Sequence, residues 1–214
     1  MKPNQNLIDM WTRAAHTYHS NLPGSPAEAY LRERGLLDAA EEFLLGYVTE
    51  PAPGHDPMFT GMLSIPYLTQ NGVVGFKMRR LGPGDPKYLA PSGQRQHLYN
   101  VNAIVNAIDH VLIVEGELDA VAATTAGFPA VAVPGVKGWK RHFARCFDGI
   151  GKVIVVTDND NKDDGSNPGQ ELAKKLVDEL PNALRVSLPL GEDVNSTVVK
   201  YGAQHLAELV GAVK

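Results

Sequence analysis

The sequence predicts an α/β fold: an α+β amino-terminal subdomain, then a domain built on a four-stranded parallel sheet flanked by helices. Three observations carry this expectation. From residue 110 on, continuous apolar runs alternate with helical patterns, as parallel strands covered on both faces require. Before residue 47, apolar residues recur at helical spacing. Between 47 and 110, proline and glycine punctuate a stretch that contains Asn71-Gly72, a strong two-residue hairpin signal. The division is expected at residue 108, with 1–108 as a helical and basic β subdomain and 109–214 as the second domain.

The elements follow in order. "NLIDMWTRAAHTYH" carries Leu7, Ile8, Trp11, Ala14, Ala15 and Tyr18 on one helical face. "SPAEAYLRERG" opens with Ser25 as cap and Pro26 at the first helical position, and stops at Gly35. "LDAAEEFLLGY" reads as another short helix, and "MLSIPYLTQNGVVGFKMRR" as a hairpin turning at Asn71-Gly72. "HLYN" is a short strand followed by a helix across "VNAIVNAI". "HVLIVEG", "PAVAVPG", "KVIVVTD" and "ALRVSLPL" are the four parallel strands. "ELDAVAATTAG", "KGWKRHFARCF" and "PGQELAKKLVDEL" are the helices between them, and further helices run through "NSTVVKYGAQHLAELVGAV".

Composition narrows the function classes. The 214 residues are 43% hydrophobic and 21% charged, ordinary for a globular protein. No run approaches the ~20 apolar residues of a membrane span, and the amino terminus lacks the apolar core of a signal peptide. A cytoplasmic protein with no membrane partner is expected. The single cysteine, Cys146, excludes an internal disulfide and a four-cysteine zinc site. The net charge of −4 is unevenly spread. Lys77, Arg79, Arg80, Lys87 and Arg95 face only Asp85 within 77–95, whereas acids cluster between 158 and 193.

In an open parallel sheet, ligands bind outside the carboxyl ends of the strands. Glu115 follows "VLIV", Asp158 and Asp160 follow "KVIVVT", and Asp193 follows "VSLPLGE". Carboxylates at three strand ends can converge on one point, where a hard divalent cation neutralises them; magnesium suits an open site completed by substrate phosphates. A helix cap or a solvated turn explains any one of these acids equally well. The stretch from Asp160 has calcium-loop spacing, but Lys162 occupies a ligand position and a strand precedes it, so an EF-hand is rejected. A phosphatase with an aspartate nucleophile would need more chain after Asp160.

"VLIVEGELDAVAATTAG" followed by "KVIVVTDNDNKDDGSNPGQELAKKL" resembles the Toprim domain of DnaG-type primases, topoisomerases and some nucleases. "AEAYLRERGLLDAAEEFLLGY", "GVVGFKMRRLGPGDPKYLAP…HLYN" and "GEDVNSTVVKYG" resemble, in the same order, further segments of the DnaG-type catalytic core. This resemblance implies Glu115, Asp158 and Asp160 as catalytic, metal-binding acids, served by magnesium, with manganese as a substitute. Asp119, four residues after Glu115, and Asp193 are expected as accessory ligands. Arg79, Lys87 and Tyr88 match the family's basic subdomain, which holds template and nucleotide phosphates. Arg95 is the nearest candidate for a family lysine, and Lys77 and Arg80 extend the strip. Asp163 and Asp164 read as solvated loop acids. Lys137, Lys140, Arg141 and Arg145 read as additions to the groove or as a surface helix. Trp11 and Trp139 read as core or interface residues, and His16 and His19 as packing residues.

The sequence departs from the family in places. No zinc module is expected, and no structural zinc. Asp193-Val194-Asn195 stands where the family has two aspartates. The expected function is a primase core making short RNA primers on single-stranded DNA from ribonucleoside triphosphates. A replicative helicase or a separate zinc-binding recruitment protein is the expected partner, and the small size suggests a phage version. A Toprim nuclease or a non-catalytic nucleic-acid-binding accessory protein are the alternatives. The basic strip favours the primase over the nuclease.

Overall fold

The protein is described by a computed structural model over residues 4–135, 138–159 and 165–213. The chain forms two compact units, one up to His97 and one from Leu98 onward. The segment 98–108 therefore belongs with the second unit, and its bonds explain why: Tyr99 bridges to Ala132, and Asn100 Nδ2 donates to the Ala130 carbonyl at 2.8 Å.

In the first unit, α1 (Gln5–Ser20) buries Ile8, Trp11, Ala14, Ala15 and Tyr18 along one face. Helix α2 (Pro26–Glu33) begins as its sequence directs, with the Ser25 side chain accepting from the Glu28 amide. The helix expected over 37–47 is reduced to a 3₁₀ turn at Leu37–Ala39. Leu44 takes a positive φ of 47°, and β1 (Gly46–Tyr47) starts two residues later. Gly46 passes so close to the α1 backbone that a side chain there would lie under 3.0 Å from Tyr18 and His19. Strands β2 (Leu63–Thr69), β3 (Gly72–Arg79) and β4 (Tyr88–Leu89) complete an antiparallel sheet in the order β1-β2-β3-β4. The hairpin turns one residue earlier than expected. Thr69 pairs with Gly72, so Gln70 and Asn71 form the loop, and Gly72 opens β3 at φ +111°. Trp11, Tyr18, Val48, Phe59, Phe76 and Met78 fill the core beneath.

The second unit begins with α3 (Asn102–Val105) and continues as β5 (His110–Val114), α4 (Glu117–Thr125) and β6 (Ala130–Ala132). It then runs through β7 (Lys152–Thr157), α5 (Pro168–Glu179), β8 (Ala183–Ser187), α6 (Val194–Tyr201) and α7 (Ala203–Gly211). The four strands form the expected parallel sheet, in the order β6-β5-β7-β8. The apolar residues of β5 and β7 are buried throughout, which is why both read as unbroken apolar runs. Where a helix is expected across 137–147, the described residues form a 3₁₀ helix at Arg141–Phe147 that buries Phe143 and Phe147 beside Trp139. Trp139 Nε1 donates to Glu179 at 2.8 Å.

Candidate active site

The two central strands set the site. β5 and β7 pair in parallel with Val114 opposite Val156. Glu115 leaves the sheet one residue past that pair and Asp158 two residues past it, on neighbouring strands about 4.8 Å apart. Gly169, at the start of α5, shows how closely they gather. A methyl group there would lie under 3.0 Å from the Asp158 carbonyl oxygen and 3.1 Å from Glu115 Oε2. The start of α5 is seated on this spot by its cap. Asn167 Oδ1 accepts from the Gln170 amide at 3.1 Å, and Gln170 Nε2 donates to the Asp158 carbonyl at 3.3 Å.

Asp119 and Asp193 both act on α6. Asp119 is buried on α4, and its Oδ1 accepts from the Asn195 amide at 3.0 Å in the first turn of α6. Its other oxygen lies over Gly116, where a methyl group would meet it at under 3.0 Å. Asp193 is the N-cap of α6 in a reciprocal box. It accepts from the Ser196 amide at 2.6 Å, and Ser196 Oγ accepts from the Asp193 amide at 3.0 Å. Just before it, the buried Glu192 pairs with Lys200 at 2.6 Å. That ammonium, and then the Ser196 hydroxyl, hold the Glu192 carboxyl below its ordinary range.

Asp160, Asp163, Asp164 and Lys137 lie outside the described residues. Among the described residues, no three histidine, cysteine or acidic side chains are gathered as a metal site. The groups that gather around Gly169, the Glu115 carboxylate and the Asp158 backbone carbonyl at one sheet edge, are oxygens, and an all-oxygen set fits a hard cation such as magnesium or manganese rather than zinc.

The basic strip belongs to the first unit. Arg79 is 7% exposed, because its guanidinium lies over the rings of Tyr30 (4.8 Å) and Tyr88 (5.1 Å). It also donates to the Tyr88 hydroxyl. Lys77 Nζ stands 4.9 Å over the Tyr88 ring from the same strand face. Lys87 and Arg95 are exposed, Arg80 is half-buried, and the Arg80 amide donates to the Lys87 carbonyl at 2.9 Å. Gln94 docks both ends of its amide on the Phe76 backbone, at 2.7 and 3.0 Å, and so fixes the segment that carries Arg95 to the edge of β3. Sequence reasoning missed Tyr30, Gln94 and Gly169. Of these, only Gly169 carries a local signal, a glycine where a better helix former would serve. His16, expected to pack, is exposed; His19 reaches the Leu45 carbonyl at 2.7 Å.

Residues 110–204, which carry these two strands, their acids and the capped helix, match the Toprim domain. The gene 57 protein of Mycobacterium phage D29 is 39% identical over 158 residues, covering 72% of this chain and 100% of the phage protein. The DNA primase of Rickettsia felis is 30% identical over 164 residues, again 72% of this chain but only 28% of the primase. The RNA polymerase domain of Mycobacterium tuberculosis primase DnaG, in complex with double-stranded DNA bearing a six-nucleotide overhang, superposes with a TM-score of 0.78. It shares 22% identity, over 100% of this chain and 82% of that one. The chain carries a Toprim domain, belongs to one family with the phage D29 gene 57 protein, and has the fold of the DnaG-type primase catalytic cores. Among the described residues no helix is long and apolar enough to cross a membrane.

Proposed function

We propose that this chain is the polymerising core of a primase, joining ribonucleotides into short primers on single-stranded DNA. The observation that carries the reading is the meeting of Glu115 and Asp158 at the edge of β5 and β7, against Gly169. In the reaction a ribose 3′-hydroxyl attacks the α-phosphorus of the incoming triphosphate. A phosphodiester forms, pyrophosphate leaves, and the hydroxyl proton passes to solvent.

Glu115, Asp158 and Asp160 would hold magnesium or manganese, which when bound neutralises the triphosphate and stabilises charge developing in the displacement. Asp119 and Asp193, expected as accessory ligands, are assigned here to holding α6, since each already spends an oxygen on that helix. Lys87 and Arg95, exposed, contact template phosphates without reading sequence. Arg79, held between two tyrosines, orients Tyr88 and Lys77 in the same strip. The template role falls to the first unit, up to His97, and the chemistry to the second, from Leu98 on.

The DNA-bound primase domain of the same fold supports a nucleic-acid partner. The phage relative supports a phage-encoded protein acting in the bacterial cytoplasm. A helicase or a zinc-binding recruitment protein would supply start-site choice. The test is incubation with single-stranded DNA, labelled ribonucleotides and magnesium or manganese, resolved on a gel. Labelled oligoribonucleotides, lost in Glu115→Gln, are expected. Shortened DNA without synthesis would make the chain a nuclease and overturn the proposal.

A further inference from the structure

Asn159 stands between Asp158 and Asp160 in the sequence, and each of its four polar groups is engaged. Its amide donates to the Glu192 carbonyl at 3.2 Å, and its own carbonyl accepts from the Gly191 amide at 2.9 Å. In the side chain, Nδ2 donates to the Leu188 carbonyl at 2.7 Å, and Oδ1 accepts from Asn167 Nδ2 at 3.3 Å. Asn159 therefore binds the end of β7 to two neighbours: the turn between β8 and α6, and the cap residue of α5.

Both neighbours are themselves fixed. The turn carries Gly191 at φ +80°, and the Glu192–Lys200 pair and the Asp193 cap anchor it to α6. Asp119 ties the first turn of α6 to α4. On the other side, Asn167 caps α5, whose Gly169 rests on Asp158 and Glu115. A strand-end residue with only backbone bonds could swing with its loop. Here a side-chain amide spans the gap, and the backbone that presents Asp158 has one course.

We propose that Asn159 is the positioning residue of the acidic site: its side-chain amide holds Asp158 in register with Glu115 and so sets the affinity for the divalent cation. Asn159 itself touches neither cation nor substrate. The proposal rests on the reading that Glu115 and Asp158 hold that cation. Groups one step behind metal ligands commonly carry about 10–100-fold of the affinity. An alanine at 159 keeps the backbone bonds and removes only the Leu188 and Asn167 contacts.

The experiment is titration of the full chain with Mn²⁺, following free and bound ion by electron paramagnetic resonance, with thermal unfolding of the metal-free protein alongside. Asn159→Ala is expected to bind Mn²⁺ about 10–100-fold more weakly and to show an altered bound-ion spectrum, with the metal-free Tm lowered by only a few degrees. Asn159→Ser, whose hydroxyl is too short to take the place of Nδ2 at the Leu188 carbonyl, gives the same reading if the alanine variant does not fold. Unchanged affinity and spectrum in the folded variants overturn the proposal. Parent-like binding by Asp158→Asn would instead overturn the metal reading beneath it, so the two failures are distinguishable.

Discussion

Gly169→Ala pits two effects of opposite sign against each other at one atom. Within a helix, alanine is better than glycine by about 1 kcal/mol, because glycine loses more backbone freedom on folding. Gly169 lies in the first turn of α5 and has no positive φ, so propensity alone predicts a more stable protein. The surroundings predict the reverse. The added methyl would lie under 3.0 Å from the Asp158 carbonyl oxygen and 3.1 Å from its carbonyl carbon, and these are backbone atoms of a strand end rather than a yielding side-chain tip. Relieving such a contact costs roughly 1–3 kcal/mol. The expected balance is a loss of up to about 2 kcal/mol, the overpacking cost less the helix-propensity gain. Because the methyl also presses on Glu115 Oε2 at 3.1 Å, divalent-cation binding should weaken as well. Urea unfolding with and without Mn²⁺ measures both. A variant about 1 kcal/mol more stable than the parent, with Mn²⁺ affinity unchanged, would refute the close approach of α5 to the two acids.

Further expectations follow from other contacts. The exposed Lys87 and the buried Arg79 should part company. Lys87→Ala leaves stability alone, weakens DNA binding alike on unrelated sequences and lowers the salt slope by about one contact. Arg79→Ala costs roughly 1–2 kcal/mol through its lost stacking on Tyr30 and Tyr88; equal stability of the two variants would contradict this. Asp193→Ala should cost about 1 kcal/mol as a lost cap, and Asp193→Ser, which can still cap, should recover it; a serine variant as unstable as the alanine one would refute the capping role. His55 is buried, with Nδ1 2.8 Å from the Tyr18 hydroxyl, and burial lowers its pKa. The unfolded chain then takes up the proton first, so stability is full above about pH 6.5 and falls as pH drops through the lowered value. Urea midpoints read from Trp11 fluorescence in a Trp139→Phe background should fall in that direction, and a pH-independent midpoint would sink the argument.

Much of this was legible where a signal is local. Ser25-Pro26 announced α2, unbroken apolar runs announced β5 and β7, and acids just past those strands marked the candidate site. The capping box at Asp193 was legible too, since Ser196 lies three residues on, but an acid after a strand reads equally as a ligand. What stayed hidden depends on distant partners. The stretch 37–47 has helical composition, yet Gly46 must slide past α1, which cuts the helix short. Lys77 and Arg79 share a strand face and read alike, until Tyr30 on α2 covers one of them. Asn159 looks like a spacer between two aspartates, because the Leu188 carbonyl it binds lies 29 residues away.

Everything proposed for the site requires that Glu115 and Asp158 jointly hold a divalent cation. Anomalous scattering from crystals of the full chain grown with Mn²⁺ tests it most directly. A manganese peak is expected at the carboxyl edge of β5 and β7, with carboxylate oxygens of both residues within about 2.0–2.6 Å, the range of hard-cation–oxygen bonds. Full manganese occupancy elsewhere, with neither Glu115 nor Asp158 among the ligands, would contradict it.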